Sequence, residues 1–167
     1  IPNWNRGTDW IMEAEWYSSN AYRILLEFAG LDTYIPSGST IDSAYLDLYP
    51  NAAYSPNDTK LYRITKDWVE GTQSGGPGVS NWDTASTGVP WDSSGGSYYD
   101  SAYATHTSTA TGDWHTFDVT TLVQYWASYG SNHGMLLRQA DETNSVDTHH
   151  GANYFSSDYV VDTNKRP

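Results

Sequence analysis

The sequence predicts an all-β fold, a jelly-roll-like antiparallel β-sandwich, on three observations. Short runs of alternating polar and apolar residues recur along the chain, and clusters of Gly, Pro, Asn and Ser separate them. Only one segment, at about 120–129, has helical periodicity. No internal repeat or linker interrupts this pattern, so we expect residues 1–167 to form a single β-sandwich domain.

Four strands are predicted in the first half of the chain: Asp9–Tyr17, Tyr22–Phe28, Ile41–Tyr49 and Leu61–Ile64. In the first of these, even-numbered and odd-numbered residues face opposite sides, and both sides carry aromatic residues. In the second, Arg23 is expected to point away from the core. Pro50 is expected to end the third strand.

A long Gly-, Ser- and Pro-rich loop is predicted at about 72–99. A loop of this length is uncommon in a compact domain unless its own side chains pack it or it carries a function. Trp82 and Trp91 lie within it. We therefore expect these two indole rings to hold the loop against the body of the domain.

The segment Thr111–Arg138 reads as strand, short helix, turn and strand. Thr121 and Gln124 have the spacing of a capping box at the start of the helix, and Gly130 is a natural stop. The flanking strands, His115–Val119 and Gly134–Arg138, are apolar enough to lie in a core. Further strands are expected within three segments: 100–109, 152–155 and 159–161.

The composition excludes several classes of partner. Twenty acidic and eight basic residues give a formal net charge of −12, which disfavours nucleic acid and anionic membranes. No apolar run approaches the roughly 20 residues of a membrane helix, so membrane insertion is not expected. The chain has no cysteine, which excludes disulfides. Eight Trp and 14 Tyr residues suit half-exposed surfaces that contact sugars or proteins.

Several motifs together resemble the DNRLRE-domain family. They include the Arg-Ile-Leu-Leu-Glu-Phe run at 23–28, Asp-Trp-Val-Glu-Gly at 67–71, Trp82, Trp91 and the Arg-Pro pair at 166–167. The resemblance covers almost the whole chain. It implies a jelly-roll-like β-sandwich from a secreted or cell-surface prokaryotic protein, similar to carbohydrate-binding modules and without enzymatic activity of its own.

The resemblance also implies a first and a last strand that this chain lacks. Domains of that family begin with a strand before the Pro-Asn-x-Asn turn, here at Pro2–Asn5, and end with one after Arg166-Pro167. A sandwich without them is expected to have open edges, so either these strands belong to a longer chain or a neighbouring subunit supplies them by strand addition. The sequence thus predicts either an extracellular module for attachment or polysaccharide binding, or a subunit that polymerises into a filament through copies of itself.

Four aromatic residues are the candidate carbohydrate-binding residues: Trp4, Trp10, Trp16 and Tyr17. Trp10 and Trp16 share one side of the first predicted strand and could form a stacking strip for sugar rings. Burial in the core is the competing interpretation for this pair. Trp4 and Tyr17 are expected to be exposed.

Asp141, Glu142 and Asp147 are the candidate metal ligands, because oxygen-rich loops suit Ca²⁺. Their spacing matches no defined calcium motif, and a solvated polar loop is the alternative.

A glycosidase would need two carboxylates across a sugar, and Glu13 and Glu15 lie on one side of a strand. Acidic residues are so frequent here that such pairs arise by chance, and no nucleophile motif frames a serine. We therefore expect no catalytic activity.

Overall fold

The computed structural model describes residues 4–55, 58–72, 76–77, 79–107, 109–143 and 149–167. Its strands are β1 Trp4–Asn5, β2 Ile11–Tyr17, β3 Asn20–Tyr22, β4 Ile24–Leu26, β5 Tyr45–Leu48, β6 Pro50–Tyr54, β7 Thr59–Arg63, β8 Gly76–Pro77, β9 Thr84–Ser86, β10 Val89–Pro90, β11 Ala104–His106, β12 His115–Asp118, β13 Met135–Gln139 and β14 His150–Phe155. Its helices are α1 Leu31–Tyr34, α2 Thr120–Tyr129 and a 3-10 turn at Thr163–Lys165.

The predicted all-β, sandwich-like fold is confirmed. Two four-stranded antiparallel sheets have the orders β3-β2-β14-β6 and β11-β7-β13-β4, and β5 pairs with β12 in a smaller sheet. Buried residues of both large sheets, such as Ala14 and Tyr154 from one and Leu61 and Leu137 from the other, belong to one hydrophobic cluster. The core therefore lies between the two sheets, as the period-two pattern requires.

Helix α2 has the predicted bounds, and its buried face inserts Leu122, Val123 and Trp126 into the same core. Gly130 ends it in the left-handed conformation, as predicted. The predicted capping box is wrong, because Val119 is the N-cap and makes no side-chain capping bond, whereas the Asp118 carboxylate accepts a hydrogen bond from the Thr120 amide at 3.0 Å. The Gln124 side chain instead accepts a hydrogen bond from the Ile41 amide at 2.9 Å.

The long loop covers the side of the sheet β11-β7-β13-β4 that is turned away from the main core. Trp91 is 6% exposed and packs in a second cluster with Ala85, Tyr62, Ile64 and Leu136. Its indole nitrogen donates a hydrogen bond to the Asn81 carbonyl oxygen at 2.8 Å. Trp91 thus holds the loop in place as expected, and this sheet has apolar cover on both faces.

The predicted strand Tyr22–Phe28 is instead two short strands that belong to different sheets. β3 lies at the edge of one sheet and β4 at the edge of the other, and the chain crosses between them at Arg23. Arg23 does not point to solvent, because its side chain is only 12% exposed and pairs with Glu142. A tight turn at Ser18 and Ser19, both with positive φ, joins β2 to β3.

Three other local predictions need correction. Pro50 was predicted to stop a strand, but it is the first residue of β6. The predicted strand at Tyr159–Val161 is absent from the described residues. The sequence indicated one helix, whereas the short helix α1 is a second one in the described chain. Each of these segments is shorter than the window over which periodicity is informative.

Candidate functional site

A polar surface with aromatic ends lies on the side of the sheet β3-β2-β14-β6 that faces away from the core. Strand alternation places Glu13, Glu15 and Tyr17 of β2 on this side, since Ala14 between them is fully buried in the core. The pairing register sets Asn153 of β14 opposite Glu13, and Tyr54 of β6 beside the partner of Glu15. We call this surface the outer face.

Glu13 lies in the middle of the outer face, where its side chain is 16% exposed. Arg6 donates a hydrogen bond to one carboxylate oxygen at 3.0 Å, and the other oxygen, Oε2, is buried without a partner in the described chain. Burial raises the pKa of Glu13, with the charge on Arg6 opposing that shift and the charges on Glu15 and Asp9 adding to it. The carboxyl group is thus short of one hydrogen-bond donor.

The neighbouring polar groups on this surface are also partly removed from water. Asn153 is 8% exposed and accepts a hydrogen bond from the Asn51 side chain at 3.1 Å. Tyr22 on β3 has its pKa raised by burial first and by the charge on Glu13 second. The pairing of their strands fixes the positions of these hydrogen-bonding side chains. Specific ligand recognition needs polar groups that are fixed in this way.

One end of the outer face is built around His149. Its imidazole Nε2 lies 3.0 Å from the carboxylate of Glu15, a residue that is 4% exposed. The ring is stacked on Tyr54, with centroids 3.4 Å apart, and contacts Tyr17 at 4.5 Å. Tyr17 is 50% exposed. This end therefore presents an aromatic ring to solvent beside a buried carboxylate.

The opposite end carries a second group of aromatic rings. Phe155 pairs with Ile11 on the outer face, and its ring stacks on Tyr159 with centroids 3.9 Å apart. Trp10 meets Tyr159 edge to face at 6.0 Å and is 48% exposed. Since Trp10 directly precedes β2 and Tyr17 ends it, the two exposed rings flank the polar strip.

The structure separates the four predicted sugar-binding residues into two pairs. Trp10 and Tyr17 lie at the two ends of the outer face. Trp16 alternates onto the core side of β2, where its indole nitrogen is buried without a partner in the described chain, and Trp4 is 44% exposed beside β8. Trp4 and Trp16 both line a groove at the edge of the sandwich.

Sequence reasoning did not find Asn153, Tyr54, His149 or Arg6 as parts of this surface. The first three come from segments distant from β2, and only strand pairing brings them to it. Alternation within β14 could have placed Asn153 on a polar side, but no local signal gives the register between two distant strands.

A large groove, which we call the edge groove, runs along one edge of the sandwich. It has a volume of about 920 Å³ and is lined by every residue of the segment Ser19–Ala29, which contains β3 and β4. Trp68, Glu70 and Trp82 lie among the residues that border it from other segments. The groove therefore runs along β3 and β4, each of which has a neighbouring strand on one side only in the described chain.

Of the three candidate metal ligands, the structure describes Asp141 and Glu142. Glu142 receives hydrogen bonds from Arg23 and lies 3.1 Å from Arg138, so its charge is neutralised by two guanidinium groups. Asp141 accepts hydrogen bonds from Thr143, and Asp147 lies outside the described residues. Among the residues the structure describes, no group of three or more His, Asp or Glu is placed to hold a metal ion. The Ca²⁺ site stays a prediction.

No family model, curated protein or solved structure matches this chain. The resemblance to DNRLRE domains therefore stays a prediction that depends on the motifs alone. Over the described residues, no helix combines the length and apolar character that a membrane span requires.

Proposed function

We propose that this chain is a non-catalytic module of the cell surface or extracellular space that attaches to polysaccharide through the outer face. The observation that carries the proposal is the pair of exposed rings, Trp10 and Tyr17, at the two ends of a strip of buried hydrogen-bonding groups. Trp and Tyr offer flat apolar faces with a polar group, which suits stacking against a sugar ring.

The strip between these rings has the chemistry that sugar hydroxyls require. Glu13 and Asn153 supply hydrogen-bond acceptors, and the Arg6 guanidinium supplies donors. The seven residues of β2 span about 23 Å at roughly 3.3 Å per residue, so the strip is long enough for several units of an extended chain. An oligosaccharide fits this geometry better than a single small sugar.

Charge favours a neutral glycan. The chain has a formal net charge of −12, and Asp9, Glu13 and Glu15 all lie at or beside the strip. An anionic polysaccharide would be repelled by this field, and the repulsion would decrease as salt screens it. The two central carboxylates already have partners in the described chain: Arg6 lies 3.0 Å from Glu13, and the His149 imidazole lies 3.0 Å from Glu15.

Affinity gel electrophoresis with neutral and acidic polysaccharides tests the proposal. We expect a neutral polysaccharide to retard the parent protein. Trp10→Ala and Tyr17→Ala should each weaken retardation by up to about tenfold in affinity, since an aromatic stack contributes roughly 0.5–1.5 kcal/mol. Tyr129→Ala is the matched control, because Tyr129 is 72% exposed on α2, away from the outer face.

Two results would contradict the proposal. If no polysaccharide in the panel retards the parent, the module does not bind glycans. If Tyr129→Ala weakens retardation as much as Trp10→Ala does, the outer face is not the binding surface. Release of reducing ends from any polysaccharide in the panel would overturn the non-catalytic assignment.

A further inference from the structure

The two edge strands β3 and β4 have hydrogen-bonding capacity that nothing in the described chain uses. Each is the last strand of its sheet, with one neighbour only: β2 for β3 and β13 for β4. In an antiparallel pair, alternate residues point their N–H and C=O groups away from the neighbour. Both strands therefore present free backbone groups along the same edge of the sandwich, which is a template for another strand.

The edge groove beside these strands has an apolar floor. Ile24 is 3% exposed and belongs to the main core, and Leu26 and Met12 pack against that core. All three side chains also line the groove. From Asn20 to Leu26 the edge is seven residues long, about 23 Å at roughly 3.3 Å per residue. A single β-strand of ordinary length would cover it.

The segment Val160–Pro167 has the properties of a strand without a sheet. It begins with two β-branched residues, Val160 and Val161, which lie in the predicted strand 159–161, yet it pairs with no strand in the described chain, and Thr163–Lys165 forms a 3-10 turn. The two valines are 61% and 69% exposed, and Lys165 and Arg166 follow them. The segment is thus apolar at one end and basic at the other.

The charges of this segment complement those of the edge groove. Glu70 and Asp158 line the groove, both are exposed, and neither forms a salt bridge in the part of the chain that the structure describes. Burial and then the charge on Asp158 raise the pKa of Glu70. An incoming Lys or Arg would offset this repulsion between carboxylates.

We propose that the edge groove accepts the segment Val160–Pro167 of a second copy of this chain, which adds a β-strand along β4 and β3. The added strand pairs with the free backbone groups, covers the apolar floor and brings basic side chains to Glu70 and Asp158. Val160 and Val161 do not line the groove, although Pro167 at the end of the segment does. Because the donor valines and the acceptor strands are different surfaces, copies assemble head to tail, and the assembly stays open to growth unless its rotation closes a ring. The chain then acts as a structural subunit as well as an attachment module.

Light scattering after size-exclusion chromatography, together with negative-stain micrographs, tests the proposal on the whole chain. We expect a series of oligomers that lengthens as the protein concentration rises. The double variant Val160→Asp/Val161→Asp should assemble at least about tenfold more weakly, since it places carboxylates in an acidic, apolar groove. Both valines are exposed in the monomer, so that the circular dichroism and the midpoint of unfolding should not change.

A charge exchange separates strand addition from non-specific association. Glu70→Lys should weaken assembly, and the combination Glu70→Lys with Lys165→Glu should restore it. Monomers at every concentration would overturn the proposal, as would a Val160→Asp/Val161→Asp variant that assembles like the parent or a charge exchange that restores nothing. Lys165 lies 5.9 Å from the Phe155 ring of the outer face, and Arg6 and Glu13 line both the outer face and the edge groove. Glycan binding is therefore measured on Val160→Asp/Val161→Asp, whose valines do not line the groove in the monomer. Lost assembly with retained glycan binding, or the reverse, shows which of the two proposals has failed.

Discussion

Arg23 donates two hydrogen bonds to the carboxylate of Glu142, with Nε 2.9 Å from Oε1, at the point where the chain crosses from one sheet to the other. The two side chains are 12% and 7% exposed, and Arg138 also lies 3.1 Å from the same carboxylate. Bidentate pairing of this kind fixes the relative orientation of the two side chains in addition to pairing their charges. The ion pair therefore joins the edge of the sandwich to the loop that follows β13.

Glu142→Gln should destabilise the protein strongly. The substitution leaves two largely buried guanidinium groups without a counter-charge, and breaking a buried pair in this way costs roughly 3–5 kcal/mol. Urea unfolding measures the effect. Lys66→Gln is the control, because its partner Asp92 is 70% exposed and the loss of that surface pair should leave the urea midpoint unchanged. Equal midpoints for the parent and Glu142→Gln would show that the pair contributes nothing to stability.

Gly95→Ala should destabilise the protein more than Gly88→Ala. Both glycines have positive φ, +88° and +75°, so each substitution carries the backbone strain of roughly 1–2 kcal/mol. A Cβ at Gly95 would lie 2.3 Å from Nη1 of Arg23, whereas nothing lies within 4 Å of one at Gly88. The difference between the two thermal midpoints measures the destabilisation that comes from the clash of the new Cβ with Arg23. Equal midpoints would show that this close approach has no effect on stability.

Stability should fall as the pH drops below about 6.5, in part through His106 and His115. Their rings stack with centroids 4.1 Å apart, and burial lowers the pKa of both below the ordinary value of 6.5. Because the unfolded chain takes up these protons first, their contribution is complete above pH 6.5 and is lost as the pH falls through the lowered pKa values.

His106→Phe tests this dependence, because phenylalanine can keep the stack on His115 and cannot be protonated. The free energy of unfolding of the variant should fall less between neutral pH and about pH 5 than that of the parent. The comparison is made on the slope against pH, so a constant offset in stability does not affect it. Parallel curves for the two proteins would contradict the assignment of His106.

The elements that the sequence predicted well are those whose signal lies within one element. Helix α2 follows from its own periodicity and the stop at Gly130, and the side-chain alternation of β2 follows from period two. Trp91 was expected to pack the long loop because a large apolar ring rarely stays in solvent. Each of these features is decided by a few neighbouring residues.

The features that the sequence did not predict depend on distant partners. Arg23 looked like an outward residue by alternation, and only Glu142, 119 positions away, explains why it lies inside. The turn at Ser18 and Ser19 was missed because positive φ usually requires Gly or Asn, and neither occupies these positions. The outer face joins β2 to β14 and β6, and its register is a tertiary property. Single-sequence patterns contain no information of that kind.

Glu13→Gln should stabilise the protein at neutral pH and have no effect in acid. Burial raises the pKa of Glu13 above its ordinary value of 4.5, so the folded chain holds this proton more tightly than the unfolded chain does. The stability that Glu13 contributes is therefore complete below pH 4.5 and is lost as the pH rises through the raised pKa. Glutamine resembles the protonated form at every pH and avoids that loss.

The measurement is the difference in the free energy of unfolding between Glu13→Gln and the parent as a function of pH. It should be near zero below pH 4.5 and grow in favour of the variant as the pH rises. The opposite outcome, a variant that is less stable at neutral pH, would mean that the ion pair with Arg6 outweighs burial. The same variant keeps an acceptor on the outer face, so a loss of glycan binding would assign the charge of Glu13 a direct role in recognition.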